Sequence, residues 1–158
     1  MADLALAFDV PLVVHSDGDL AVLRSLVKTL NACGLDDLVL DPCTLAEDGL
    51  SDTIHAFTAI RTAACRDFDE LFGHPLLGVP LAVWTSEEMS MDILKWRETI
   101  TASMLITRYA DLLLMHSLDG WVLLPPLIWR FNLYTDPRKP VSVEAGIRIF
   151  GHPDKNSP

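Results

Sequence analysis

Four short runs carry the residue types best suited to chemistry: His15-Ser16-Asp17, Asp41-Pro42-Cys43-Thr44, Trp84-Thr85-Ser86 and His116-Ser117. Each closes or follows an apolar run: VPLVVH from Val10, DLVL from Asp37, LLGVPLAVW from Leu76 and LLLM from Leu112. Parallel α/β folds meet their ligands at the carboxyl ends of the strands. The runs therefore define a polar rim, on which His15, Asp41, Thr44 and His116 are the candidate cofactor-binding residues. Asp41 is the leading one, because Pro42 stiffens its loop and its carboxylate can accept a hydrogen bond or hold a proton. A plainer reading stands beside this. Ser16, Ser86 and Ser117 cap helices, each His bonds a nearby backbone carbonyl, and Asp41 is a turn-forming Asp before Pro. A metal at His15, Asp41 and His116 needs ligands converging within a few ångströms. Sequence spacing does not establish that, so no metal site is assigned. There is no G-x-S-x-G elbow and no glycine-rich phosphate loop. His55 and His74 read as surface or structural residues.

The elements that must position this rim alternate along the chain. Val10–His15, Asp37–Leu40, Leu76–Trp84 and Leu112–Met115 read as strands, and runs so short and apolar suit strands covered on both faces. Pro80 predicts a bulge or an early end in the third strand, since proline cannot donate to a ladder. Between them lie helical patterns. The first has Ser16 or Asp17 as its cap and the stripe Leu20, Leu23, Leu26/Val27, Leu30, and Gly34 is placed to end it in a left-handed cap. A polar loop, Thr44 to Gly49, leads to the second, which starts near Ser51 with the stripe Ile54, Phe57, Ile60, Ala64, Phe68, Leu71 and closes at Gly73. The third is capped by Thr85 or Ser86, has Glu87 and Glu88 in its first turn, and ends near Tyr109. Its interior apolar positions include Ile93, Trp96, Ile100, Met104 and Thr107. The fourth, Trp121 to Phe131, stops at Tyr134-Thr135-Asp136-Pro137. Its aromatic residues Trp121, Trp129, Phe131 and Tyr134 read as packing, with Pro125-Pro126 bending the helix onto the sheet. Val141 to Phe150 is a strand or an extended strap, and residues 151–158 read as a disordered tail.

The fold class is thus α/β, with four consecutive βα units over residues 1–150 joined by right-handed crossovers. A full eight-unit barrel takes about 200–250 residues, so the pattern fits half of a TIM barrel. A doubly wound sheet of four or five strands fits it as well, and loop lengths do not separate the two.

Composition narrows the function classes. A chain of 158 residues with half of them hydrophobic has room for one domain with a substantial core. Its mean hydropathy of +0.29 is high, yet no run has the roughly 18 apolar residues of a membrane span. Met1-Ala2-Asp3-Leu4 has no basic lead-in, so a cytoplasmic location is expected. A net charge of −10, with Arg138-Lys139 as the one small basic cluster, argues against nucleic acid as partner. Cys33, Cys43 and Cys65 are too few for a four-cysteine cluster site and lack Cys-x-x-Cys spacing. Cys33 and Cys65 read as small buried apolar residues.

Several segments together resemble one family. LDDLVLDPCT is similar to the "DLVLDPGT" strand and loop of the large (gamma) subunit of the corrinoid iron–sulfur protein, a component of the acetyl-CoA decarbonylase/synthase system. The likeness runs through GLSDTIHAFTAIRTAA, PLLGVP, RYADLLLMHSLDGWVLLPPLIWR and NLYTDPRKPVSVEAGI, from about Val10 to Ile149. It implies a barrel module, the C-terminal half of that family's central TIM barrel, which scaffolds and shields methyl-cobalamin during one-carbon transfer. It also implies a small corrinoid-protein subunit and a methyltransferase as partners. The iron–sulfur cysteines and the cobalamin-holding domain of the family are not in the matched region, so cobalamin is expected not to be held by this chain alone. Position 43 is Cys where the family pattern usually has Gly. A half-barrel has two edge strands, which invite pairing. Completion is therefore expected from a second copy or a complementary half-barrel chain. The alternative is a stand-alone pterin- or corrinoid-dependent methyltransferase-like enzyme that binds its one-carbon carrier at the strand ends.

Overall fold

The structure is a computed structural model in which residues 1–45, 49–85, 89–117 and 119–131 are described. Four parallel strands lie in chain order: β1 (Leu12–His15), β2 (Leu38–Asp41), β3 (Leu77–Gly78) and β4 (Leu112–Leu113). β1 pairs with β2, from Leu12↔Leu38 to His15↔Asp41, and β3 pairs with β4. A single parallel bridge, Leu40↔Leu76, joins the two pairs, with Leu40 N–H donating to the Pro75 carbonyl at 2.8 Å. The third strand does end early at Pro80. Residues Pro80–Thr85 turn into a 3₁₀ helix rather than continuing to Trp84.

Five helices accompany the strands among the described residues: α1 (Ala2–Phe8), α2 (Leu20–Ala32), α3 (Leu50–Arg66), α4 (Met91–Thr107) and α5 (Leu124–Phe131). Sequence patterning gave no sign of α1, which buries only Ala5. The cap of α2 is Asp19, whose Oδ1 accepts the N–H groups of Ala21 and Val22 at 2.8 and 3.1 Å. It is neither Ser16 nor Asp17, because the turn through Gly18 (φ +84°) consumes those residues first. α2 ends as expected at Gly34 (φ +86°). Leu35 N–H reaches back to the Leu30 carbonyl and Gly34 N–H to that of Asn31, the paired bonds of a Schellman cap.

α3 stops at Arg66, earlier than its apolar pattern implies. Phe68 takes a left-handed φ of 55° and is exposed, while Phe72, in a 3₁₀ turn capped by Asp69, supplies the buried side chain instead. α4 begins at Met91 after Ser90, so Thr85 does not cap it; Ser86, Glu87 and Glu88 lie outside the described residues. The expected interior stripe of α4 is also reversed. Leu94, Glu98, Thr101, Ala102, Leu105 and Ile106 are buried, whereas Ile93, Trp96, Ile100 and Met104 are exposed. Both faces are apolar, so periodicity alone did not identify the packed one. Pro125-Pro126 open α5 rather than bending it, since a missing N–H is harmless in the first turn. Trp121, Trp129 and Phe131 are exposed, not packed. Cys33 and Cys65 are exposed too. One sits past the end of α2, and the other falls off the Phe57–Ile60 stripe. The strap from Val141, the tail and Tyr134 lie outside the described residues.

The core lies between the sheet and its helices. Val14, Leu38, Leu40 and Leu76 pack with Leu23 and Val27 of α2, Phe57 and Ile60 of α3, and Leu105 of α4. Gly78 is the point where α4 comes closest to the sheet: a Cβ there would lie 2.8 Å from Leu105 and 3.0 Å from Leu113. Among the described residues the opposite face of the sheet is open at its outer strands, contrary to strands covered on both sides. Side chains alternate along a strand, and in the alternate set Val13, Leu112 and Leu114 at the outer strands are 49%, 48% and 50% exposed, whereas Val39 of β2 is buried. The fold is mixed α/β, mostly helical, with small parallel sheets.

Candidate functional site

The in-register pair His15↔Asp41 ends β1 and β2 on the open side of the sheet. Because the strands are parallel and unstaggered there, the two side chains meet: His15 Nδ1 is 2.9 Å from Asp41 Oδ2. His15 Nε2 lies 3.1 Å from Oδ1 of Asp17, so the imidazole is held between two carboxylates. Burial pulls the imidazole pKa down. The hydrogen bonds and charges of Asp41 and Asp17 together outweigh it and hold His15 above its ordinary value. The second Asp41 oxygen accepts Cys43 N–H at 3.0 Å, the Asx-type turn foreseen for an Asp before Pro. The turn reading of Asp41 is thus seen directly, and its other oxygen contacts His15.

Cys43 carries a φ of +73°, a left-handed conformation that favours glycine. Its thiol pKa is raised, first by burial and then by the negative charges of Asp41 and Asp17. A thiol kept protonated in this way is a poor nucleophile. Thr44 is buried, and its Oγ1 accepts Val79 N–H at 2.8 Å, which ties the loop after β2 to the end of β3. Its role here is structural.

His116 does not join His15 and Asp41. It follows β4, three strands from β1 in the sheet, which is roughly 14 Å at the usual strand spacing. Its ring instead rests on Trp84, with centroids 3.9 Å apart. Ser117 Oγ accepts Asp119 N–H at 3.3 Å ahead of the 3₁₀ turn Gly120–Leu123, while Ser16 is buried and its hydroxyl has no partner. Among the described residues no group of three or more His, Cys, Asp or Glu is placed to hold a metal ion. His55 is exposed on α3, and His74 is half-buried before β3 with Nε2 unpartnered.

The residue that positions the β4 loop was not singled out by sequence. Glu98 is fully buried in α4, and its two carboxyl oxygens accept the N–H groups of His116 and Ser117. The available signal was an acid in line with Leu94, Ala102 and Leu105 at helical spacing. At the other end of the strands Asp111 accepts Leu76 N–H at 2.9 Å and pairs with Arg61 at 2.6 Å and Arg130 at 3.0 Å. Arg130 also donates to the Ala110 carbonyl.

What remains at the strand ends is an imidazole–carboxylate pair able to hold and pass a proton, on a scaffold fixed by Thr44 and Glu98. Over its whole length, residues 1–158, the chain matches the family described as CO dehydrogenase/acetyl-CoA synthase delta subunit. It belongs to that family. Among its relatives is the acetyl-CoA decarbonylase/synthase complex subunit gamma of Methanothermobacter thermautotrophicus, 39% identical over 160 residues. Subunit gamma 1 of Methanosarcina thermophila is 39% identical over 159 residues, and the gamma subunit of Archaeoglobus fulgidus 36% over 157. These alignments take in 100%, 100% and 98% of this chain but 34%, 34% and 33% of the relatives. The chain thus spans about a third of the length of the curated relatives it matches. No helix among the described residues is long and apolar enough to cross a membrane.

Proposed function

We propose that the chain is a half-barrel module of the acetyl-CoA decarbonylase/synthase complex. In this reading it forms part of the wall that scaffolds and shields a methyl-corrinoid held mainly by other polypeptide. One observation carries the reading: among the described residues, four parallel strands in strict chain order have helices on one face and, on the other, an apolar face that is half-exposed at its outer strands. Strand order 1-2-3-4 is that of a barrel wall, whereas a doubly wound sheet reverses its order at a switch point. Val13, Leu112 and Leu114 are then the residues a second half would cover. Neither strand-end histidine suits a corrin's cobalt, because both His15 nitrogens face carboxylates and the His116 ring rests on Trp84. No methyl-transfer step is assigned to this chain.

The experiment is light scattering at low micromolar concentration, alone and with a polypeptide carrying the other four βα units. Association in either case, abolished by Leu112→Lys on the open face, is the expected result. A sharp monomer peak under both conditions would overturn the half-barrel reading.

The second reading, a pterin- or corrinoid-dependent methyltransferase-like enzyme, draws on the His15–Asp41 pair as a proton-holding site. Thermal stabilisation by a methyl-pterin alone, lost in Asp41→Asn, would favour it over the scaffold.

A further inference from the structure

α4 has apolar residues on two faces, and the described residues cover one of them. Ile93, Trp96, Ile100 and Met104 recur at intervals of three and four on the side away from the sheet, and all four are exposed. At Trp96 this stripe meets an open groove of about 930 Å³, whose near wall is completed by Asp92, Lys95 and Thr99 and whose far wall is Trp121, Val122, Leu124 and Pro125. Trp96 and Trp121 flank it, each 70% exposed. Closing a barrel covers the open sheet face and the strand edges. It leaves this groove outside, since the sheet-facing positions of α4 are Leu94, Ala102 and Leu105. A groove with two exposed tryptophans facing each other across Val122, Leu124 and Pro125 has the composition of an interface centre.

We infer that the groove between α4 and the Gly120–Phe131 segment docks an amphipathic helix with basic flanks from a different polypeptide. Charge selects this occupant. Among the described residues that line the groove, Asp92 and Asp119 stand beside one cation, Lys95, and the chain as a whole carries −10. A second copy would set the same acidic rim against itself, a like-charge juxtaposition that disfavours pairing. A helix with leucine-type residues on one face and lysines at its margins meets both the tryptophans and the aspartates.

The probes are two synthetic peptides of about 18 residues, roughly five helical turns, one of Leu and Lys at amphipathic spacing and one with Glu in place of Lys. Binding to the full chain is followed by tryptophan emission and by calorimetry. The Leu/Lys peptide should bind with a blue shift, weaken about tenfold or more in Trp96→Lys and Trp121→Lys, and weaken with added salt. Leu112→Lys, on the open sheet face, should leave binding unchanged and separates this groove from barrel completion. The tryptophans are exposed, so circular dichroism of both variants should match the parent. Equal binding of the Leu/Glu peptide, or insensitivity to both tryptophan variants, would overturn the proposal. So would a dimer in sedimentation that Trp96→Lys dissolves, which would make the occupant a second copy.

Discussion

The carboxyl group of Glu98, in the middle of α4, accepts the backbone N–H of Ser117 at 2.9 Å from a fully buried position. Its other oxygen takes the N–H of His116, so one side chain holds the whole turn that follows β4. A buried donor left without its acceptor costs about 1–3 kcal/mol. Glu98→Gln keeps one acceptor and should destabilise the chain by about that amount, whereas Glu98→Ala strands both N–H groups and should cost twice as much, about 2–6 kcal/mol. Urea denaturation checks the pair. Equal midpoints for Glu98→Gln and the parent would show that the carboxyl is dispensable.

Cys43 offers a test in the stabilising direction. Its φ of +73° imposes a strain of about 1–2 kcal/mol on any residue with a Cβ, offset in part because glycine gains unfolded-state entropy. Cys43→Gly should therefore raise stability by up to about 1 kcal/mol, while β-branched Cys43→Val should lower it by at least as much. Thermal melts of both variants read the sign directly, and a Cys43→Gly protein that melts below the parent would contradict the argument. The family pattern, with Gly at this position, fits the same geometry.

How much of this was legible in the sequence varied with the physics of each element. The four strands and four of the helices follow from apolar runs, although the expected N-caps of α2 and α4 were misplaced, and Gly34 announced its left-handed turn. The meeting of His15 with Asp41 also follows, once parallel register sets two strand ends side by side. Periodicity failed where it was degenerate: α4 has apolar residues on two faces, so Ile93 and Trp96 looked as buried as Leu94 proved to be. Thr44 and His116 were singled out by residue type, but their surroundings are long-range, a hydrogen bond to Val79 and a ring contact with Trp84. No local rule contains those partners. Asp111 read only as the polar start of a strand, because Arg61 lies 50 residues away and Arg130 comes in from α5.

That Asp111 cluster predicts a graded response. The carboxylate serves one backbone N–H and two guanidinium groups, and the three side chains are 34%, 22% and 16% exposed. Partial exposure screens the ion pairs, so the backbone bond and the arginine closest to burial dominate. Asp111→Ala should cost about 2–3 kcal/mol in chemical denaturation, and Arg130→Ala more than Arg61→Ala. A ranking with Arg61→Ala as the costlier arginine change would show that the contacts of α5 matter less than the link to α3.

The two half-exposed or half-buried histidines His15 and His74 should titrate on opposite sides of the ordinary imidazole value of 6.5. For His74 burial is the main cause and lowers its pKa, with the charges of Asp36 and Asp37 only partly opposing. His15 also loses something to burial, but Asp41 and Asp17 together raise it. The signs follow by linkage. His15 binds its proton more tightly in the folded chain, so its contribution is fully present below 6.5 and is lost as pH rises through its elevated folded value. His74 binds its proton less tightly when folded, so its contribution is present above 6.5 and is lost as pH falls through its depressed value. Proton NMR of the imidazole Cε1–H signals should therefore show two midpoints straddling that of a free histidine. Asp41→Asn should bring the His15 midpoint down while leaving His74 where it was. A His15 midpoint at or below the free value in the parent would mean that burial wins over the two carboxylates, and that the strand-end pair does not hold its proton as the geometry implies.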